Sequence, residues 1–365
     1  MKKSVFILSF VSLILGSCSD DNNTATPDPV KPPVESGIVK ANVGGPNQPN
    51  QVFVDLSANQ QVSAKRDTWD LGFATGSDFR VIINGSVKMA VKQLNTNNID
   101  AVQTADATVA VGYSTLSTLG YVDDPTGTLK GNGSGVGTAV AEISATDADN
   151  KVYLVNMGFE VGTTTPTPGS VALDGEARGW KKIRITRNGN DYVVQYADLA
   201  ATTHNTVTIS KNADYNFTFL SLKTGQKVDV QPRAKQWDLS FTGFTNYYPY
   251  GDSSITYYFA DFITTNVYGG TKVYMVETES IDADYAAFKK ANVQETNFTK
   301  SATDQRIIGD TWRNGGGPSS QPSIKDTRFY IIKDTDGNIF KLRFRALTND
   351  AGERGNPVFE YELLK

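Results

Sequence analysis

Trp69-Asp70-Leu71-Gly72-Phe73 and Trp237-Asp238-Leu239-Ser240-Phe241 stand 168 residues apart in a chain of 365, and their surroundings repeat with them. Upstream of each lies an apolar alternation, Val52-Phe53-Val54-Asp55-Leu56-Ser57 leading to Val62, and Phe217-Thr218-Phe219-Leu220-Ser221-Leu222 leading to Val228. Downstream come an Asn with nearby glycine and an apolar strand: Asn84-Gly85 before Val87-Lys88-Met89-Ala90-Val91, and Asn266 with Gly269-Gly270 before Val273-Tyr274-Met275-Val276. Each copy also carries a hairpin signature, Asn188-Gly189 and Asp336-Gly337, flanked by alternating runs. Such dipeptides supply the positive φ that a tight turn requires. Self-similarity at a fixed offset means a duplicated unit. The expected fold is therefore all-β: two tandem antiparallel β-sheet domains, residues 37–203 and 204–365, with few short helices.

The copies differ in length between the Trp and the hairpin Gly, and the excess in the first falls in the Ala/Thr/Gly-rich stretch 104–138. Its glycines Gly131, Gly133, Gly135 and Gly137 do not form a phosphate loop, because no lysine follows at the required place and no helical pattern begins there. A flexible insertion is expected. The best helix candidate is 282–291, where Ala283, Ala286, Ala287 and Phe288 alternate with charge.

Counting removes much chemistry. The chain holds one Cys and one His, which excludes disulfide frameworks, Cys/His zinc sites and, with Cys18 in the leader, a cysteine nucleophile. A net charge of -4 gives no electrostatic reason to bind nucleic acid. Carboxylates are too numerous for a catalytic pair to be singled out. The expectation is a protein that is not an enzyme.

The N-terminus reads as an address. Met1-Lys2-Lys3 precedes an apolar run at 5–15 and then Leu15-Gly16-Ser17-Cys18. That run falls short of the ~20 apolar residues a transmembrane helix needs, so 1–18 reads as a signal peptide. Its ending resembles the lipobox of bacterial lipoproteins, which implies that Cys18 becomes the lipid-bearing first residue. Residues 19–36 contain Pro27, Pro29, Pro32 and Pro33 and are expected to form an extended tether. Its Ser19-Asp20-Asp21 start is similar to the surface-export signal of Bacteroidetes lipoproteins. The implied location is the outer membrane, facing outward or otherwise the periplasm.

The second copy resembles a known family. Thr206-Val207-Thr208-Ile209, the segment 221–230, Trp237-Asp238-Leu239, Asn266 with its glycines and Asp336-Gly337-Asn338-Ile339 with Lys341 are similar, in that order, to the HmuY family of haem-binding lipoproteins. The first copy follows the pattern more faintly. The resemblance implies an all-β fold, haem or a related tetrapyrrole as ligand, a role in iron acquisition and an outer-membrane transporter as partner. Haem-binding members grip the iron with two His or two Met, one of them in the loop before the strand matching 329–333. That loop here runs Asp310-Thr311-Trp312-Arg313-Asn314 into glycines and Pro318, with neither His nor Met.

Candidate donors elsewhere are Met89, Met275 and His204. Met is also a common filler of apolar cores, and His204 lies in a polar stretch between the copies. Tyr247 and Tyr248 lead the densest aromatic cluster, with Tyr257, Tyr258 and Phe259 close behind; such rings can stack on a porphyrin or a sugar, or simply pack a strand. Trp312 and Arg313 are candidates because they occupy the ligand loop. Lys341, Arg343 and Arg345 alternate with apolar residues, so period two places them on one sheet face, to receive propionates or to meet water. Asp334-Thr335-Asp336-Gly337-Asn338 imitates the start of a calcium loop, but Arg345 stands where the closing Glu belongs, so a hairpin turn is expected. Two functions remain in play: a lipid-anchored extracellular haem-binding protein, or a surface module on the same scaffold that binds glycan or protein.

Overall fold

The computed structural model describes residues 32–112, 121–124, 126, 137–251, 253–301, 303–316 and 320–365. Cys18, residues 19–31 of the tether and the glycine run 131–136 lie outside these residues. Strands dominate, in several antiparallel sheets, as the alternation predicts.

Four sheets make the body. One five-stranded sheet orders Ser36–Lys40, Val358–Leu363, Ile339–Ala346, Arg328–Lys333 and Lys272–Glu277. Its counterpart orders Asn205–Ile209, Asp191–Asp198, Trp180–Asn188, Val152–Asn156 and Ala90–Gln93. A four-stranded sheet places Lys227–Val228 and Phe217–Leu220 beside Leu71–Ala74 and Val81–Ile83. The other sets Gln60–Lys65 and Asn50–Asp55 beside Leu239–Tyr250 and Ser253–Thr265.

The two copies thus exchange their opening strands. Asn50–Asp55 of the first pairs with Leu239–Tyr250 of the second through Val54↔Leu239 and Val52↔Phe241. Phe217–Leu220 of the second pairs with Leu71–Ala74 of the first through Leu220↔Leu71 and Phe217↔Ala74. Ser36–Lys40 and Asn205–Ile209 cross over in the same way. Each large core consequently draws on both copies. Val52 and Val54 pack with Leu239, Phe241, Tyr330 and Phe359, while Leu220 and Leu222 pack with Phe73, Val155, Ile183 and Tyr192. A smaller cluster of Phe53, Trp69, Phe217, Phe219 and Trp237 lies where the four-stranded sheets meet.

Both hairpin signatures form turns. Gly189 takes φ +61° beside the Asn188↔Asp191 pair. Gly337 takes φ +89°, and the Asp334 carboxylate accepts the backbone N–H groups of Asp336 at 2.9 Å and Asn338 at 2.7 Å, so this loop is an Asx-braced turn.

The one α-helix among the described residues, α1 (Ile281–Ala287), is shorter than its pattern, because Phe288 turns extended at ψ 119° and a 3-10 turn follows at Lys290–Asn292. Helix α1 also revises the expectation of a basic sheet face open to solvent. Tyr285 and Phe288 pack edge-on against Phe329, so the helix covers that face. Lys341 is buried and its Nζ donates to the carbonyls of Tyr285 at 2.8 Å and Phe288 at 3.3 Å, where terminal helix carbonyls need donors. Arg343 pairs with Glu360 at 2.5 Å and Asp282 at 2.6 Å. Only Arg345 of the three remains well exposed.

Candidate functional site

The repeated motifs brace the exchange. Asp70 Oδ2 accepts the N–H of Leu222 at 2.6 Å, and Asp238 Oδ2 accepts that of Leu56 at 2.9 Å, so each motif holds the other copy's opening hairpin. Asn84 Nδ2 donates to the carbonyls of Arg66 and Trp69, and Asn266 Nδ2 to those of Ala234 and Trp237. The two aspartates are not electrically alike. Asp70 meets Arg178 at 2.7 Å, which opposes the upward push of burial on its pKa. Asp238 has backbone and hydroxyl donors only, and burial pushes its pKa up to about 7.

An open groove of about 410 Å³ runs between the long hairpin of the second copy and the loop after Trp312. Tyr257, Phe259 and Ala260 line one side, and Lys88, Arg313 and Arg354 bring cations to it. Its floor is organised by Asp261, whose backbone takes φ +47°. The Asp261 carboxylate is paired with Arg354 and lies 3.8 Å from Arg313. Its carbonyl accepts Trp312 Nε1 at 3.1 Å and Arg313 Nε at 3.3 Å. Two guanidinium groups thus share one carboxylate at the edge of an open depression. Beside them Lys88 Nζ lies 4.9 Å from the Tyr258 ring centre and pairs with Asp174. Tyr258 Oη donates to the Ser86 carbonyl at 2.8 Å, and burial raises its pKa to about 12, so it stays a neutral phenol. Aromatic rings beside cations that are paired with Asp174 and Asp261 suit a flat ligand carrying anionic groups.

A family model described as "HmuY protein" matches residues 47–207 and again 213–361. The chain belongs to the HmuY family. No curated protein matches. Among solved structures, an apo HmuY analogue of Tannerella forsythia aligns at 12% identity and TM-score 0.24, over 93% of this chain and 100% of its own. Apo PinO of Porphyromonas gingivitis gives 12% and 0.23, over 50% and 94% respectively. A candidate HmuY-like heme-binding protein of Bacteroides vulgatus gives 14% and 0.22, over 40% and 83%. Whole chains do not superpose at such scores, and the HmuY assignment rests on the two sequence matches.

Of the residues singled out from sequence, the structure brings Arg313 to the groove, with Trp312 buried directly behind it against Phe344 at 4.3 Å. Tyr248 stands outside on the same hairpin, 49% exposed and 5.9 Å from the ring of Tyr257, itself 45% exposed. Tyr247, its neighbour, lies on the opposite face of the strand, half-buried against Ala90, Val122 and Leu154, as period two requires. Met89 is fully buried in one core. Met275 packs against the other and accepts Arg328 Nη1 at 3.4 Å. His204 Nδ1 lies 2.9 Å from Asp100. None of these three donors lines the groove. Among the described residues no cluster of three or more His, Cys, Asp or Glu has the arrangement of a metal site.

Asp261, Arg354 and Lys88 were not singled out from sequence as site residues, whereas Phe259 belongs to the aromatic cluster named there. Asp261 leaves a trace, as a lone charge within Tyr257-Tyr258-Phe259-Ala260-Asp261-Phe262-Ile263, where a buried carboxylate must have partners.

Proposed function

We propose that this HmuY-family chain is a non-enzymatic binding protein, anchored by lipid at Cys18 to the outer membrane and exposed beyond it, that captures haem or a related tetrapyrrole. The observation that supports this reading is the groove beside Arg313, which combines aromatic walls, open access and three cations. A porphyrin would lay its face on Tyr257, with Phe259 set edge-on beside that ring, and direct its propionates to Lys88, Arg313 and Arg354. The groove offers iron neither imidazole nor thioether among its described residues, so affinity comes from the macrocycle and its carboxylates. Handover to an outer-membrane transporter follows from the same reading.

The test is a titration of the full-length chain in detergent with haemin and, separately, with metal-free protoporphyrin IX. Saturable binding of both, with a shifted Soret band for haemin, is expected. An unshifted spectrum in oxidised and reduced protein would overturn the reading.

A second reading is favoured by one observation, the exposed pair Tyr248 and Tyr257 on neighbouring strands. Such a platform suits a sugar ring. It predicts glycan-array binding that Tyr248→Ala with Tyr257→Ala removes, while tetrapyrroles fail to bind.

A further inference from the structure

Where the two four-stranded sheets face each other, the exchange leaves an interior cavity of about 110 Å³. Trp69 and Trp237 both line it, each set edge-on to a phenylalanine of the other copy: Phe219 at 4.9 Å and Phe53 at 5.1 Å. Seven buried side-chain polar atoms lack a hydrogen-bond partner among the described residues, and five belong to residues of this cavity: Trp69 Nε1, Trp237 Nε1, Gln51 Oε1, Gln231 Oε1 and Thr265 Oγ1. Each such atom is costly to bury if nothing answers it. Their gathering in one void, with both repeated tryptophans contributing, marks a built site.

The volume limits the guest. An apolar cavity of about 150 Å³ holds a single benzene, so a tetrapyrrole does not enter here, and the site is separate from the groove. Chemistry limits it further. The two indole N–H groups require acceptors, while the two glutamine oxygens require donors. Phe217, Phe219 and Phe244 supply apolar walls for a flat ring. Waters would answer the polar atoms but would leave those walls wet. Tyr268, 44% exposed, also lines the cavity and gives it an edge on solvent.

We infer that this cavity is a second ligand site, for a neutral planar heterocycle of a single ring that carries carbonyl or ring-nitrogen acceptors beside N–H donors. Uracil and 2-pyridone are suitable probes, with benzene as the apolar control. The experiment is an NMR titration of full-length protein labelled at tryptophan nitrogen, which reports the four indoles, Trp69, Trp180, Trp237 and Trp312, separately. Binding moves the Trp69 and Trp237 signals in a saturable way and leaves Trp312, already bonded to the Asp261 carbonyl, in place. Trp69→Phe or Trp237→Phe, which keeps a ring and removes one donor, should weaken binding about tenfold. Where a variant fails to fold, wild-type shifts with the oxo-heterocycles against none with benzene carry the test. Unmoved indoles at millimolar probe, or equal response to benzene, would overturn the inference and leave the cavity to water.

Discussion

Gln48 and Asp261, 213 residues apart in sequence, bond each other twice: Gln48 Nε2 donates to Asp261 Oδ1 at 2.7 Å, and the Asp261 N–H donates to Gln48 Oε1 at 3.0 Å. Both residues take positive φ, 45° and 47°. An amide side chain here ties a segment of the first copy to the groove floor of the second, and it fixes the carboxylate that Arg313 and Arg354 share. Left-handed backbone at a bulky residue persists only where surroundings enforce it, and it concentrates at ligand sites.

The first prediction follows from that floor. Asp261→Ala leaves two buried guanidinium groups without their carboxylate, and removing one partner of a buried pair costs about 3–5 kcal/mol. Urea unfolding should show a loss of that order. Gln48→Leu, which keeps the ion pairs, should lose less than half as much.

Asp238 predicts a pH dependence. Its folded pKa is raised to about 7 from 3.8, so the native state holds a proton that the unfolded chain releases between those values. That contribution is full below pH 4 and is lost as pH rises through 7. Stability should therefore increase on acidification from pH 8 to pH 5, by on the order of 1 kcal/mol per pH unit near the middle of the window. Asp123, raised to about 6 by burial, adds a slope of the same sign. Denaturation midpoints across this range check the sign, and Asp238→Asn should flatten the profile.

Two glycines with similar backbone should respond differently to alanine. At Gly158, φ +71°, a Cβ would lie 1.9 Å from the Val87 carbonyl oxygen, whereas at Gly189, φ +61°, nothing lies within 4 Å. Gly189→Ala pays only the left-handed strain, about 1 kcal/mol, and Gly158→Ala should cost on the order of 3 kcal/mol or prevent folding. Melting curves of the two variants decide.

Much of the fold was legible because it rests on local rules: alternation for strands, Asn-Gly and Asp-Gly for turns, and a duplicated motif for the duplicated unit. The exchange was hidden for a physical reason. Asp70 bonds Leu222 and Asp238 bonds Leu56, yet the same residues would make the same bonds within one copy, so the pattern is indifferent to which copy supplies the hairpin. The site was harder to read. Arg313 could be found from its loop, but Tyr247 and Tyr248 differ only in strand phase, and the fate of Lys341 depends on a helix about 55 residues earlier whose carbonyls it meets. The Met and His candidates were chosen for their atoms. Met89 lies in a core and His204 against Asp100 because the surrounding sheets place them there.

A haem prediction follows from that placement. Met89→Leu, Met275→Leu and His204→Gln should each leave haemin affinity within about twofold, while Tyr257→Ala, at an exposed position lining the groove, should reduce it by about tenfold or more. Equilibrium absorbance titrations of the four variants distinguish the outcomes. A collapse in Met275→Leu would place the iron elsewhere.

Because each copy lends its opening strands to the other, neither half of the chain owns a complete interior. The arrangement is that of a two-fold dimer whose subunits have been joined end to end in one polypeptide. Joining replaces a concentration-dependent encounter by a permanent local concentration, of about millimolar order for a short connection, so dilution does not part the halves. A protease cutting between Asp198 and Asn205 would yield two fragments that remain clasped through both cores, and a gene carrying one copy alone would be expected to yield a pair.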